Sequence, residues 1–314
     1  MREIIDGINV GYRDFGEFLH ERFECKVQKI SINAGFTCPN RDGAKGTGGC
    51  TYCNNQTFNP AYCKSEKSIT TQLEEGKRFF AHKYPDMQYL AYFQAYTNTY
   101  GELERIKKLY EEALSVGGVR GLIIGTRPDC MPDELIGYLV ELSKHSFVLV
   151  EYGVESSCDR TLELINRGHS WKDSVDAIMR TAQAGLPCGV HIIAGLPGEN
   201  EKTLLSTADK LSQLPLSTVK LHQLQLIKGT RLARQVQTGE LSVKQWTVDE
   251  YISLCLEFIR HIAPSIAIER FTSQSPDELL LSPRWGLKNY EFTNLLNNAI
   301  RRNKTVQGSA LTRE

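Results

Sequence analysis

The chain alternates short apolar runs with amphipathic helices six times, and this alternation restricts it to a parallel sheet flanked by helices. The runs are 26–32 (KVQKISI), 88–96 (QYLAYFQAY), 120–128 (RGLIIGTRP), 147–156 (FVLVEYGVES), 187–199 (PCGVHIIAGLPGE) and 217–226 (STVKLHQLQL). Each is apolar enough to be read as buried on both faces. Between them, 68–83 reads as a helix with Ser68 or Thr70 as N-cap. Leu103, Ile106, Leu109, Tyr110 and Ala113 fall at helical spacing in 102–115. Further helices are expected from Pro132 to 146, over 159–184 with a break near Arg167-Gly168, and over 200–213. Six β/α units predict an α/β fold, a partial (β/α)6 TIM-like barrel, occupying residues 1–230 with its N-terminal lead-in. From Arg231 the alternation stops. A helix near 248–262, a strand SIAIERF (265–271) and a helix at 289–302 predict a small appended α+β C-terminal region, 231–314.

In barrels of this kind the chemistry sits at the carboxyl ends of the strands. Polar and glycine-rich residues collect there: Cys38 onward, Gln94, Thr126-Arg127, Glu155-Ser156, Gly195-Leu196-Pro197 and Gln225. The stretch CPNRDGAKGTGGCTYC, 38–53, follows the first strand and presents Cys38, Cys50 and Cys53 as C-x11-C then C-x2-C. Rich in glycine and poor in apolar residues, it is a loop that bends thiolates together rather than a core element. Two metal sites fit. With Cys63 as a fourth ligand the set is a structural zinc knob, as in an adaptor that catalyses nothing. With three thiolates alone it is a four-iron cluster with one iron free for a small molecule.

Composition narrows the partners. Lys plus Arg equals Asp plus Glu at 37 each in 314 residues, so no global field attracts nucleic acid or an anionic membrane. No run reaches membrane-spanning length and the N-terminus lacks an apolar signal core, so the expected address is cytoplasmic, with no membrane partner. Nine unevenly spaced cysteines fit a reducing compartment better than a disulfide framework. Only the last stretch, 284–314, is locally basic, with a net +4 from Arg284, Lys288, Arg301, Arg302, Lys304 and Arg313 against two glutamates.

CPNRDG with GGCTYC, GTRPDC (125–130), EYGVES (151–156), NRGH (166–169), HIIAGLPGE (191–199) and LHQLQLIKGT (221–230) together resemble the radical S-adenosylmethionine superfamily. Within it the chain is similar to the YhcC/YtqA group, which is related to the catalytic core of the elongator radical enzyme. Most of the superfamily has C-x3-C where this chain has C-x11-C; the long gap is what the group shows. The resemblance implies a [4Fe-4S] cluster on Cys38, Cys50 and Cys53, with S-adenosyl-L-methionine on the fourth iron. It implies that Tyr52 packs beside the adenine, that the Gln94-Ala95-Tyr96 backbone meets the methionyl amine, and that Glu155 accepts from the ribose or that amine. Arg167 would pair with the methionyl carboxylate, and Gly195 and Pro197 would shape the adenine pocket. Cleavage of the cofactor would give a 5′-deoxyadenosyl radical that abstracts hydrogen, with electrons from a reductase or a flavodoxin/ferredoxin-type donor. The resemblance further implies transfer RNA as partner and its wobble uridine as substrate. On that reading the basic appended region, with Arg301 and Arg302, is expected to grip the RNA phosphates, and the aromatics Tyr96 or Tyr100 near the barrel mouth to stack on an unpaired base. A small metabolite or a protein side chain is the alternative target. Cys63, Cys130, Cys158, Cys188, Cys25 and Cys255 lie outside the pattern and read as small hydrophobes, with Cys130 and Cys158 near enough to strand ends to meet a substrate.

Overall fold

The computed structural model describes residues 2–5, 7–57, 59–81 and 86–311. Seven parallel strands form one curled sheet: β1 Val27–Ile32, β2 Gln88–Phe93, β3 Val119–Thr126, β4 Phe147–Glu155, β5 Cys188–Ala194, β6 Thr218–Gln223 and β7 Ala267–Arg270. They lie in sequence order, every neighbouring pair parallel. The partial TIM-like barrel is thus present with one strand more than the six expected. The extra strand is SIAIERF, expected in the appended region, whose Ile268 pairs in register with Val219 of β6.

Helices α1 Ile69–Phe80, α2 Leu103–Ser115, α3 Asp133–Ser143, α4 Asp159–Leu164, α5 Trp171–Gln183 and α6 Glu201–Ser212 cover the outside of the sheet. Their starts obey local chemistry. Ser68, not Thr70, caps α1 by accepting from Thr71 N, and Ser170 with Asp173 makes a capping box at α5. The last two residues of the helix expected over 68–83 lie outside the described residues. Beyond β6 come α7 Arg231–Gln237, α8 Val248–His261 and α9 Asn289–Asn303. α9 starts where Thr272 Oγ1 donates to Asn289 Oδ1 (2.9 Å), beside the carboxyl end of β7. It ends near the amino end, where Gln307 Nε2 donates to Ile266 O (2.7 Å). The helix therefore runs down the barrel for about 22 Å from its 15 residues.

Successive side chains of a strand point to opposite faces, and here the two faces differ in kind. Outward residues such as Ile30, Phe93, Ile124, Val150, Ile192 and Val219 join the helices in the main apolar core. Inward, the amino end is closed by Leu90, Ile123, Leu149 and Ala267 under Phe18 of a short helix, Phe15–His20. Above this plug the interior turns ionic. Glu151 of β4 meets Lys220 of β6, Lys29 of β1 (3.3 Å) and His191 of β5 (3.1 Å). Glu269 of β7 meets Lys29 (2.5 Å) and Lys220 (3.2 Å). Strands β1 and β7 are the sheet's two edges, so Lys29–Glu269 joins across the barrel what the backbone ladder leaves open.

Burial alone would push the Glu151 carboxyl up, but Lys220 and Lys29 overcome it and hold it well below the usual range. Burial brings the Lys220 ammonium down to about 8 against the opposing pull of Glu151 and Glu269. Glu151 and Lys220 are each 1% exposed, so removing one charge strands the other. Glu151→Gln is expected to lower unfolding stability in urea by about 3–5 kcal/mol, the usual cost of an uncompensated buried charge. Adding Lys220→Met should recover part of that loss, whereas a deficit below about 1 kcal/mol, typical of an exposed pair, would mean the network does not hold the barrel shut.

Candidate cofactor site

The cysteine loop leaves β1 and folds across the strand ends, where backbone and side-chain hydrogen bonds fix it at three places. Thr51 N donates to Ile165 O (2.9 Å), and Leu232 N of α7 donates to Thr51 O (2.8 Å). Asn166 Nδ2 donates to Gly49 O (2.9 Å), and Asn40 Nδ2 to Asn166 O. On the other side Lys45 pairs with Asp129 (2.6 Å), which grips Arg127 through both oxygens (2.9 and 3.0 Å). Arg127 in turn donates to Arg167 O (2.7 Å). The stretches CPNRDG, GTRPDC and NRGH thus interlock into one platform. Burial opposes the Asp129 charge, yet the hydrogen bond and charge of Arg127 hold its carboxyl down at about 2.

Cys38, Cys50, Cys53, Tyr52, Gln94, Glu155 and Arg167 all line one cavity of about 1230 Å³, counted out to its open mouth. Arg167, 7% exposed, is its central cation. It donates to Cys50 Sγ (3.5 Å) and to Gly153 O, and stands 3.8 Å from Glu155 Oε1. The glycine at 153 leaves room for this pair: a Cβ there would lie 2.7 Å from Arg167 Nη2 and 2.8 Å from Glu155 Oε1, so either side chain would have to shift. Burial pushes the Glu155 carboxyl up while Arg167 and the Tyr52 hydroxyl pull it back. Strain gathers at the same rim, since Tyr96 (φ 65°), Glu155 (φ 70°) and Asn166 (φ 53°) are non-glycine residues in the left-handed region.

The donor set suits thiolates. Cys50 receives N–H groups from Arg167 and from Asn40 (3.8 Å), and Cys53 from Asn55 (3.8 Å). Among the described residues no three His, Cys, Asp or Glu side chains converge on a single ion, and a four-iron cluster asks for no such convergence because each thiolate takes its own iron. Cys63 stands apart: it belongs to the main core, is 3% exposed, and burial pushes its thiol up to about 12. Arg167 Nε is buried without a hydrogen-bond partner, an open donor facing the space a cofactor would take.

Other expected positions fall elsewhere. Gly195 and Pro197 are not among the lining residues. The bare Cα of Gly195 (φ +88°) is explained by Trp246, whose Cζ3 would lie 2.6 Å from an added Cβ. Leu196 between them joins Ile165, Ile193 and Leu224 in an apolar wall against which Tyr52 packs. Cys130 and Cys158 also lie off the cavity, and burial pushes the Cys130 thiol up to about 12. Tyr96 does line the mouth, with Arg41 5.9 Å from its ring; Tyr100 does not. Sequence reasoning missed the lower wall, formed by Tyr92, Glu151, His191, His222 and Arg270. A signal existed, since VEYGVE, GVHIIA and VKLHQ place Glu151 and Glu155, His191, and Lys220 and His222 at inward positions.

Residues 37–211 match the family model of the Radical SAM superfamily, and 216–302 match the Radical_SAM C-terminal domain. The chain is 33% identical to the uncharacterized protein YtqA of Bacillus subtilis, over 96% of this chain and 93% of that one. It is 35% identical to protein YhcC of Escherichia coli, over 95% of both. A tRNA uridine(34) acetyltransferase of Methanocaldococcus infernus is 28% identical, over 51% of this chain and 30% of that one. Among solved structures the chain resembles the archaeal Elp3 of Methanocaldococcus infernus, with TM-score 0.65 and 16% identity over 90% of this chain and 64% of that one. The chain belongs to the radical S-adenosylmethionine superfamily, in its YhcC/YtqA group, and is a radical enzyme whose cofactors are a [4Fe-4S] cluster and S-adenosylmethionine.

Proposed function

We propose that Cys38, Cys50 and Cys53 hold the cluster, that Arg167 and Glu155 orient S-adenosylmethionine, and that the substrate is an RNA nucleotide, the wobble uridine of transfer RNA. Arg167 carries the first half: one buried guanidinium donates to a cluster-side thiol and keeps Nε free for a carboxylate beside it. Glu155, in reach of the Tyr52 hydroxyl, offers an acceptor for the methionyl amine or the ribose. Tyr52 and its apolar neighbours Ile193 and Leu196 form the adenine side, with the Gly195–Pro197 turn positioning Leu196. When bound, the cluster supplies an electron that cleaves the cofactor to methionine and the 5′-deoxyadenosyl radical; the chain's residues bind, orient and keep water out. The electron comes from a reductase or a flavodoxin/ferredoxin-type donor. Among the described residues no helix is long and apolar enough to cross a membrane, and all nine thiols are free, in keeping with a reducing cytoplasm.

Support for RNA rests on the mouth. Tyr96 presents a half-exposed ring there, set by a left-handed backbone and flanked by Arg41, a pairing suited to an unstacked base. The relative named tRNA uridine(34) acetyltransferase points the same way. The basic stretch divides along α9. Arg284 and Lys288 precede its start, near the carboxyl end of β7, whereas Arg301 and Arg302 sit at the other end of the barrel, where Arg301 pairs with Glu3 (2.8 Å). Phosphate contacts near the cavity are therefore expected from Arg284 and Lys288, not from Arg301 and Arg302.

Replacing Cys38, Cys50 or Cys53 by alanine is expected to abolish retention of iron and acid-labile sulfide in anaerobically purified protein. Cys63→Ala should keep both, and its failure to do so would revive a four-thiolate site. Arg167→Ala should retain iron yet bind S-adenosylmethionine more weakly by about 1.5–3 kcal/mol, the range for a charge-assisted hydrogen bond. For the substrate, nucleoside analysis of transfer RNA from cells lacking the protein should show an altered wobble uridine. Arg284→Glu/Lys288→Glu protein should show weaker, less salt-dependent binding. An unaltered profile with no salt-dependent binding would leave a small metabolite or a protein side chain as target.

A further inference from the structure

The lower wall of the cavity holds more cationic and donor capacity than its own contacts use. Lys29 and Lys220 face Glu151 and Glu269, so these charges balance. Arg270 stands beside them on β7, opposite Lys220 in register, and lines the cavity. Among the described residues its guanidinium has no ion pair, and its Nε is buried with no hydrogen-bond partner. The same is true of His222 Nδ1, whose ring lies 5.5 Å from that of His191. The loop after β7 is fixed rather than free: Gln223 and Gln225 donate to Ser273 O (3.0 and 3.1 Å), and Ser275 Oγ donates to Gln225 Oε1 (2.6 Å). Ser273 and Ser275 also line the cavity.

We propose that Arg270, with His222 beside it, binds the carboxylate of a small co-substrate, separate from the nucleotide, inside the barrel and below the strand ends. The inference rests on the radical-enzyme reading of the cavity but not on the substrate being RNA. Burial holds the imidazole of His191 at about 4 and that of His222 well below the usual histidine range, so both rings are neutral and the wall carries one surplus positive charge, that of Arg270. A planar monoanion closes that surplus and matches the guanidinium fork, while neutral His222 adds an N–H donor. A phosphate dianion would replace a surplus positive charge by a negative one in a water-poor interior. The methionyl carboxylate is already provided for by Arg167, which sits against Cys50 rather than in this layer.

The test uses the cluster-loaded enzyme with S-adenosylmethionine present, labelled with nitrogen-15 in arginine and histidine. Arg270 Nε–H is assigned by its disappearance in Arg270→Lys and followed as acetate, acetamide or inorganic phosphate is added. Acetate should shift the Arg270 and His222 signals saturably, acetamide should not, and Arg270→Gln should weaken acetate binding roughly tenfold to a hundredfold. Absence of a saturable acetate shift in the wild-type protein overturns the proposal, and this arm needs no variant to fold. Phosphate binding tenfold tighter than acetate would overturn the carboxylate assignment. Weakening of S-adenosylmethionine in Arg270→Gln to the extent seen in Arg167→Ala would return Arg270 to the cofactor site. Iron content and cofactor affinity measured on the same samples separate a failure of the radical-enzyme reading from a failure of this one.

Discussion

Glu151 is the residue on which the interior of this barrel turns. A fully buried carboxylate is costly unless several donors meet it, and Glu151 meets Lys220, Lys29 and His191 from three other strands. Its partner Glu269 shares both lysines and sits on the far edge strand. The sheet's hydrogen bonds stop at β1 and β7, so the ionic layer does inside the barrel what a closing ladder would do in a complete one. It also separates two environments. Below it lies an apolar plug under Phe18; above it lies the cavity lined by the three cysteines, Glu155 and Arg167.

Above that layer, the loops after four strands depend on one another. Arg127 is 2% exposed and is held by Asp129, which Lys45 of the cysteine loop also contacts. The free hand of Arg127 fixes the carbonyl of Arg167, and so the guanidinium that reaches Cys50 is positioned through its own backbone. The strained φ values at Glu155 and Asn166 belong to this arrangement. A relaxed residue at 155 would restore the regular β4 register, which shifts between Gly153 and Glu155, and would carry the carboxylate away from Arg167. The platform is preorganised by neighbours rather than by the cofactors it receives.

Much of this was legible in the sequence, because alternation and loop chemistry are local. The strand–helix order, the break near Arg167-Gly168 and the placing of the cysteine loop, Gln94 and Glu155 at the strand ends follow from period and position, whereas Tyr52 and Arg167 follow from the family resemblance. What was hidden is non-local. SIAIERF reads as an isolated strand after a stretch of helix, and only pairing with β6 some 50 residues earlier makes it the seventh stave. Gly195 looks like a ligand-facing glycine within AGLPG, yet the neighbour that needs the space is Trp246, in a segment with no periodic signal. Lys29, Glu151, His191 and Lys220 were in plain view as alternating polar residues. They were absorbed into runs read as apolar on both faces, because the apolar majority of each run conceals its period.

The division of the cavity bears on how a radical enzyme of this kind selects a substrate. Toward the cysteine loop the donors are few and already engaged by sulfur, apart from Arg167 Nε. Toward β6 and β7 they are neutral imidazole and unpaired guanidinium. A molecule held at both ends would lie along the barrel axis, with its middle beside Ile193, Leu224 and Gly125, where little competes for hydrogen bonds. Binding energy gathered at a remote charge can then orient a carbon–hydrogen bond that itself offers no handle. Such an arrangement explains why Arg270 and His222 are kept in the interior without partners when apolar packing would be more stable: unlike the Glu151 layer, which closes the barrel, they place a bound molecule rather than hold the fold.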